Sequence, residues 1–228
     1  MNSVLVVAAH PDDEVLGCGG TIARHAGVGD HVQVLIVAEG ATSRQERRDR
    51  VQADAHLSAL AEAAQKAGSI LGAAGVELLD LPDNRLDSLD RLDLIKLVED
   101  RIEQHEPQVV YVHHAGDVNV DHRRLHEAVV TACRPTPGHH VKRILSFEVA
   151  SSTEWQPPGS GAAFQPNWYV EISAQFTLKQ KALAAYDSEM RAWPHARSLK
   201  AVEYQDRWRG AQVGVKAAEA FCLLRELV

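Results

Sequence analysis

Four short apolar runs, each separated from the next by stretches of helical periodicity, constrain this 228-residue chain more than any other feature. They cover residues 4–9, 31–38, 76–79 and 109–112 and are rich in valine, isoleucine and leucine. Runs of that length and composition suit strands buried on both faces. Between them, residues 51–71 and 89–102 repeat apolar side chains at three- and four-residue spacing, and residues 121–133 form a further helical segment. Gly72 and Gly75 close the first of these, Pro107 limits the second, and Arg134-Pro135 ends the third. Strands alternating with helices of this length predict βαβ units. The expected fold is α/β: a Rossmann-like, doubly wound, mostly parallel sheet with helices on both faces. Residues 176–189 and about 196–209 again show a helical pattern, which predicts a helical C-terminal portion. The loops at 135–140 and 155–161 are too short to be clear linkers, so one domain over residues 1–228 is expected.

In sheets of this kind, sites gather beyond the carboxyl ends of the strands. The first run passes directly into His10-Pro11-Asp12-Asp13-Glu14, followed by Gly17, Gly19 and Gly20. Adjacent side chains leaving a strand point different ways, so Asp12 and Asp13 need not serve the same atom. One carboxylate can join His10 on a metal while the other accepts a proton. A nitrogen and oxygen donor set with no thiol fits Zn²⁺ or another borderline divalent ion. The glycines would let the backbone turn tightly near the site. The plainer alternative is that Asp12 to Glu14 merely cap the following helix. The fourth run leads into His113-His114 and then Asp117, Asn119, Asp121 and His122, again at a strand's end. A third ligand from here would complete a three-ligand site with one open position, the pattern of hydrolytic zinc.

Both motifs resemble the PIG-L/LmbE-like family of zinc-dependent N-deacetylases. The likeness rests on A-H-P-D-D-E-V-L-G-C-G-G-T at residues 9–21 and V-D-H-R at residues 120–123, and the general layout extends it over roughly residues 1–150. The resemblance implies that His10, Asp13 and His122 hold one Zn²⁺ and that Asp12 is the base that takes a proton from water. It implies a substrate that is a small N-acylated amino sugar or its conjugate, giving a carboxylate and a free amine. One departure stands out. Many members have a histidine where this chain has Asn119, and an amide cannot act as a general acid. Asn119 would then stabilise the oxyanion, with His195, His114 or protonated Asp12 supplying the proton. Asp121 is expected to orient a ligand. Arg44, after the second strand, is a substrate-binding candidate. Asp83 and Arg85, after the third, occupy the segment that resembles the sugar-contacting part of relatives.

Composition bears on partners and location. Lys plus Arg number 24 against 31 Asp plus Glu, a net charge of −7, which argues against nucleic acid as the partner. Cys18, Cys133 and Cys222 show no metal-type spacing, as expected of a reduced, cytoplasmic protein. The N-terminal apolar run is too short for a signal peptide or a membrane span. Self-association into a homo-oligomer is left open. Two other functions compete: a Mg²⁺-binding α/β regulatory module, and a catalytically altered family member that binds an acylated sugar. Histidines at both strand ends favour zinc over Mg²⁺, which prefers oxygen ligands.

Overall fold

A computed structural model describes residues 1–228. Its strands are β1 (Ser3–Ala8), β2 (His31–Ala38), β3 (Gly75–Leu81), β4 (Val109–His113), β5 (Arg143–Phe147), β6 (Trp168–Glu171) and β7 (Ala218–Glu226). The helices are α1 (Asp13–Gly27), α2 (Arg50–Leu71), α3 (Arg91–His105), α4 (Val120–Ala132), α5 (Phe176–Leu183) and α6 (Leu199–Gln212). All seven strands form one sheet in the order β3-β2-β1-β4-β5-β7-β6. Strands β1 to β5 pair in parallel, and β7 runs antiparallel to both β5 and β6.

Period-two alternation sorts the central strands between two cores. Val4, Val6 and Ala8 enter one cluster of buried side chains, while Leu5, Val7 and Ala9 enter the other. The first core is covered by apolar side chains of α1, α2, α5 and α6, and the second by those of α3 and α4. The sheet is therefore doubly wound, as the apolar runs predict. The chain moves outward from β1 to β2 and β3, then returns to place β4 on the other side of β1. That reversal is the switch point, and both histidine-bearing motifs leave the sheet there.

Three expectations need correction. The C-terminal part is not purely helical, because β6 and β7 complete the sheet. The Ala-, Leu- and Glu-rich sequence of β7 has no strong strand propensity; the free edge of β5 overrides it. The helix expected over residues 176–189 stops at Leu183, and the chain then turns toward the site. Finally, Gly17 and Gly20 lie inside α1 rather than in a turn. A Cβ on Gly17 would sit 2.3 Å from the Phe147 ring, and one on Gly20 would sit 2.6 Å from Ile172. Their role is to let α1 press against the sheet.

Candidate metal centre and active site

Parallel pairing of Val7 with Val112 brings the ends of β1 and β4 side by side. His113 ties them together, its Nε2 accepting a hydrogen bond from the Ala9 backbone N–H at 2.8 Å. Burial, with His122 beside it, holds the His113 pKa well below the ordinary value, so this ring is neutral. It stacks on the His122 ring with centroids 3.8 Å apart. His113 is thus a brace for its neighbour, and its Nε2 is already engaged.

His10, Asp13 and His122 converge. Asp13 Oδ2 lies 3.2 Å from His10 Nδ1 and 3.1 Å from His122 Nε2. One donor atom from each residue lies within 4.8 Å of the others. The remote ring nitrogens are held by further carboxylates: His10 Nε2 lies 3.0 Å from Asp121, and His122 Nδ1 lies 3.1 Å from Asp117. A carboxylate behind an imidazole fixes the tautomer, leaving the opposite nitrogen's lone pair free for a cation. Two such imidazoles and one carboxylate fit a divalent transition metal such as Zn²⁺.

The electrostatics agree. Burial opposes charge on His122, but Asp13 and Asp117 outweigh it and raise its pKa to about 9. Burial likewise opposes charge on His10, yet hydrogen bonds to Asp121 and Asp13 hold its pKa well above ordinary. Asp13 moves the other way: although desolvation pushes it up, His122 and His10 keep it well below the usual carboxylate range. The pocket's carboxylates thus draw positive charge onto whatever faces them.

Asp12 is set apart by its backbone. Its φ of 105° lies in the left-handed region, an unusual state for a residue with a Cβ. It precedes α1, but its side chain makes no cap hydrogen bond. Glu14 instead accepts the Asp12 backbone N–H, at 3.1 Å. The capping alternative therefore describes Glu14 and not Asp12. The Asp12 carboxylate receives a hydrogen bond from Arg197 Nη1 at 2.9 Å. Burial raises the Asp12 pKa well above ordinary, against the pull of Arg197.

The remaining predicted residues divide into two groups. On one side, Asn119 caps α4 by accepting from Asp121 N, and its Nδ2 donates to Asn84 Oδ1 at 3.0 Å. Asp121 accepts from the backbone N–H groups of Asn84 and Leu86, which pins the turn after β3. Asp83 is 2% exposed; its oxygens accept from Ser43 N and Asn84 Nδ2, and Oδ1 lies 3.3 Å from His10 Nε2. Arg85 is half-buried in the same turn. On the other side, Arg44 and His195 line a cleft with Arg197. His195 Nδ1 accepts the Arg197 backbone N–H at 3.0 Å. His114 is not among these groups, since its Nε2 donates to the Ala162 carbonyl.

Two residues without a role in the sequence reading emerge here. Asp117 accepts from Ser152 Oγ, from Thr153 Oγ1 at 2.7 Å and from the Asn119 backbone at 2.8 Å, besides facing His122. Burial alone would raise its pKa; hydrogen bonds from His122, Ser152 and Thr153 bring it to about 2. Its place two residues before Asn119 was a local signal, but its hydroxyl partners, Ser152 and Thr153, come from beyond β5. Arg197 had no signal at all: it lies 185 positions from Asp12.

A doubly wound sheet with two imidazoles and a carboxylate meeting at its switch point defines an α/β protein with a candidate metal site. Residues 5–133 match the PIG-L model, described as GlcNAc-PI de-N-acetylase, and the chain belongs to that deacetylase family. It is 29% identical over 191 residues to the uncharacterized deacetylase YaiS of Escherichia coli (strain K12), covering 81% of this chain and 90% of that one. Among solved structures, the N,N'-diacetylchitobiose deacetylase of Pyrococcus horikoshii superposes with a TM-score of 0.75 at 19% identity, over 97% of this chain and 83% of that one. GalB, the 4-carboxy-2-hydroxymuconate hydratase of Pseudomonas putida KT2440, gives 0.79 at 22% identity, over 100% and 98% of the two chains. These two likenesses establish the fold, and the fold alone does not choose the reaction.

Proposed function

We propose that this chain is a Zn²⁺-dependent N-deacetylase that hydrolyses the amide of a small N-acylated amino sugar or its conjugate. The observation that carries this reading is the convergence of His10 Nδ1, Asp13 Oδ2 and His122 Nε2 beside a buried Asp12 that caps nothing. His10, Asp13 and His122 would hold the ion. When bound, a divalent cation acidifies water and polarises a carbonyl.

Asp12 takes the proton from the attacking water. Its raised pKa suits a carboxylate that must keep a proton for part of the cycle, and Arg197 fixes its orientation. As the C–N bond breaks, Asp12 returns that proton to the departing amine nitrogen. A separate general acid at position 119 is then unnecessary, and Asn119 serves the helix start. With Nδ1 of His195 accepting from the Arg197 backbone N–H, Nε2 is the nitrogen left to meet a substrate oxygen. The three cysteines are free, which fits a reducing, cytoplasmic setting. No helix is long and apolar enough to cross a membrane.

Metal analysis and acetate release on one set of proteins test this. The wild type should carry close to one equivalent of transition metal when prepared without chelators. Asp12→Asn should keep that metal and lose on the order of 10²–10⁴-fold in turnover. Full activity in Asp12→Asn would remove the assigned base, and a metal-free active protein would remove the zinc reading.

A further inference from the structure

Beside Asp12 lies a cleft of about 190 Å³ whose lining carries three guanidinium groups and one carboxylate. Arg44 follows β2, and Arg191 and Arg197 come from the turn between α5 and α6. Glu189 is the carboxylate. It is 4% exposed and lies 3.2 Å from Arg44 Nη2 and 3.6 Å from Arg197 Nη1. It therefore holds two guanidiniums in place but neutralises only one. Arg197 is also held by Ser151 Oγ at 2.8 Å and by Asp12. Arg191 pairs with no carboxylate: its guanidinium donates to the backbone carbonyls of Ser188 and Met190. Even with Asp12 counted, the cleft keeps a surplus positive charge, in a protein whose net charge is −7.

Two other arginines of the basic run after β2 are spent elsewhere. Arg48 pairs with Glu39, and Arg50 with Asp80. Only Arg44 of these turns into the cleft. Moreover, Arg191 and Arg197 lie beyond residue 133, where the match to the family model stops. A neutral acylated sugar has no use for surplus guanidinium charge, whereas Arg presents planar paired donors that match a carboxylate or phosphate. The wall of the cleft is Trp155, 55% exposed, with the His195 ring edge-on to it at 5.9 Å. An aromatic face next to a cationic floor suits a ring bearing an anionic substituent.

We infer that the substrate carries an anionic group, a carboxylate or a phosphate, that docks on Arg44 and Arg191 in this cleft while its acylated nitrogen faces Asp12. The inference rests on the deacetylase reading for its orientation, but the anion site itself does not depend on catalysis.

Two measurements separate the claims. In the first, the metal-loaded protein is assayed for acetate release from N-acetylglucosamine, its 6-phosphate and N-acetylmuramic acid. At least one anionic sugar should exceed the neutral one by about 10–100-fold in kcat/KM, mostly through KM. Whichever it is tells phosphate from carboxylate. In Arg191→Gln and Arg44→Gln, that ratio should shrink to within about threefold of unity. Equal use of all three sugars, or a preference that survives both substitutions, overturns the inference. In the second, inorganic phosphate and malonate are titrated into wild type and Arg191→Gln by calorimetry. Weaker binding in the variant, together with no acetate release from any sugar, would sink the deacetylase reading and keep the anion site. Equal binding in the two proteins overturns the anion site whatever the enzyme does.

Discussion

Two clusters of buried charge sit on this sheet, and they are built on opposite plans. One surrounds Lys179, on α5, whose ammonium lies 2.9 Å from Asp206 of α6 and 2.8 Å from Glu219 of β7. Glu219 also accepts the backbone N–H groups of Gly20 and Thr21 on α1. Four elements thus close around one cation, which is 1% exposed. The other cluster, at the switch point, gathers Asp12, Asp13, Asp117 and Asp121 around His10 and His122, with only Arg197 as a permanent cation. Its carboxylates face imidazoles and outnumber its one permanent cation. Burial of charge alone therefore does not mark a site. The marks are an excess of acceptors, imidazoles with carboxylates behind them, and a strained Asp12 whose carboxylate the helix does not use.

Breaking the closed cluster should produce the largest change. Lys179→Met leaves two carboxylates without their cation and should cost about 3–5 kcal/mol, a fall in Tm on the order of 10 °C. Calorimetry checks it, and an unchanged Tm would mean the cluster is not holding α5 and α6 to β7. Asp117→Asn probes the open cluster: it should weaken metal affinity by about 10–100-fold. A metal titration decides that.

A subtler test uses pH. Burial is the main reason that Asp206 is raised from 3.8 to about 7 in the folded protein, against the pull of Lys179. As pH climbs from about 4 to about 7, the unfolded chain gives up that proton first, so it binds fewer protons than the native state. This group's contribution to stability therefore falls as pH rises across that window. Asp206→Asn should flatten the corresponding part of a Tm-against-pH curve. Its unpartnered Oδ2 is the atom the amide nitrogen would replace. The smallest effect belongs to Asn119. Asn119→Ala should lose about 1 kcal/mol through the missing cap, and Asn119→Ser should restore it. If Asn119→Ser matches wild type in stability yet loses turnover, the residue acts in the chemistry as well as in the helix start.

The two clusters also differ in how they can be read from the chain. His10, Asp12 and Asp13 directly follow β1, and His122 opens the helix that follows β4, so local pattern places them at one sheet end. Asn119 and Asp121 lie in the same short segment; the cap that Asn119 makes is local, whereas Asp121 reaches back to Asn84 and Leu86 in the turn after β3. Arg197, Glu189 and Ser151 are otherwise. They enter from loops beyond β5 and α5, and no periodicity ties them to Asp12. The closed cluster was equally hidden, because a lysine in a short helical segment reads as a solvated residue until β7 folds over it.

The sequence by itself determined the alternation of strand and helix, the two faces of the sheet and the place where two motifs meet. Strand and helix periods and the rule of strand ends are local or nearly local physics. Tertiary structure decided what those motifs face. The insertion of β7 between β5 and β6, the Asp121 carboxylate behind His10 and the guanidinium-lined cleft beside Asp12 all arise from contacts between distant segments. Such contacts are set by packing and by the need to satisfy buried charge, and neither leaves a periodic trace along the chain.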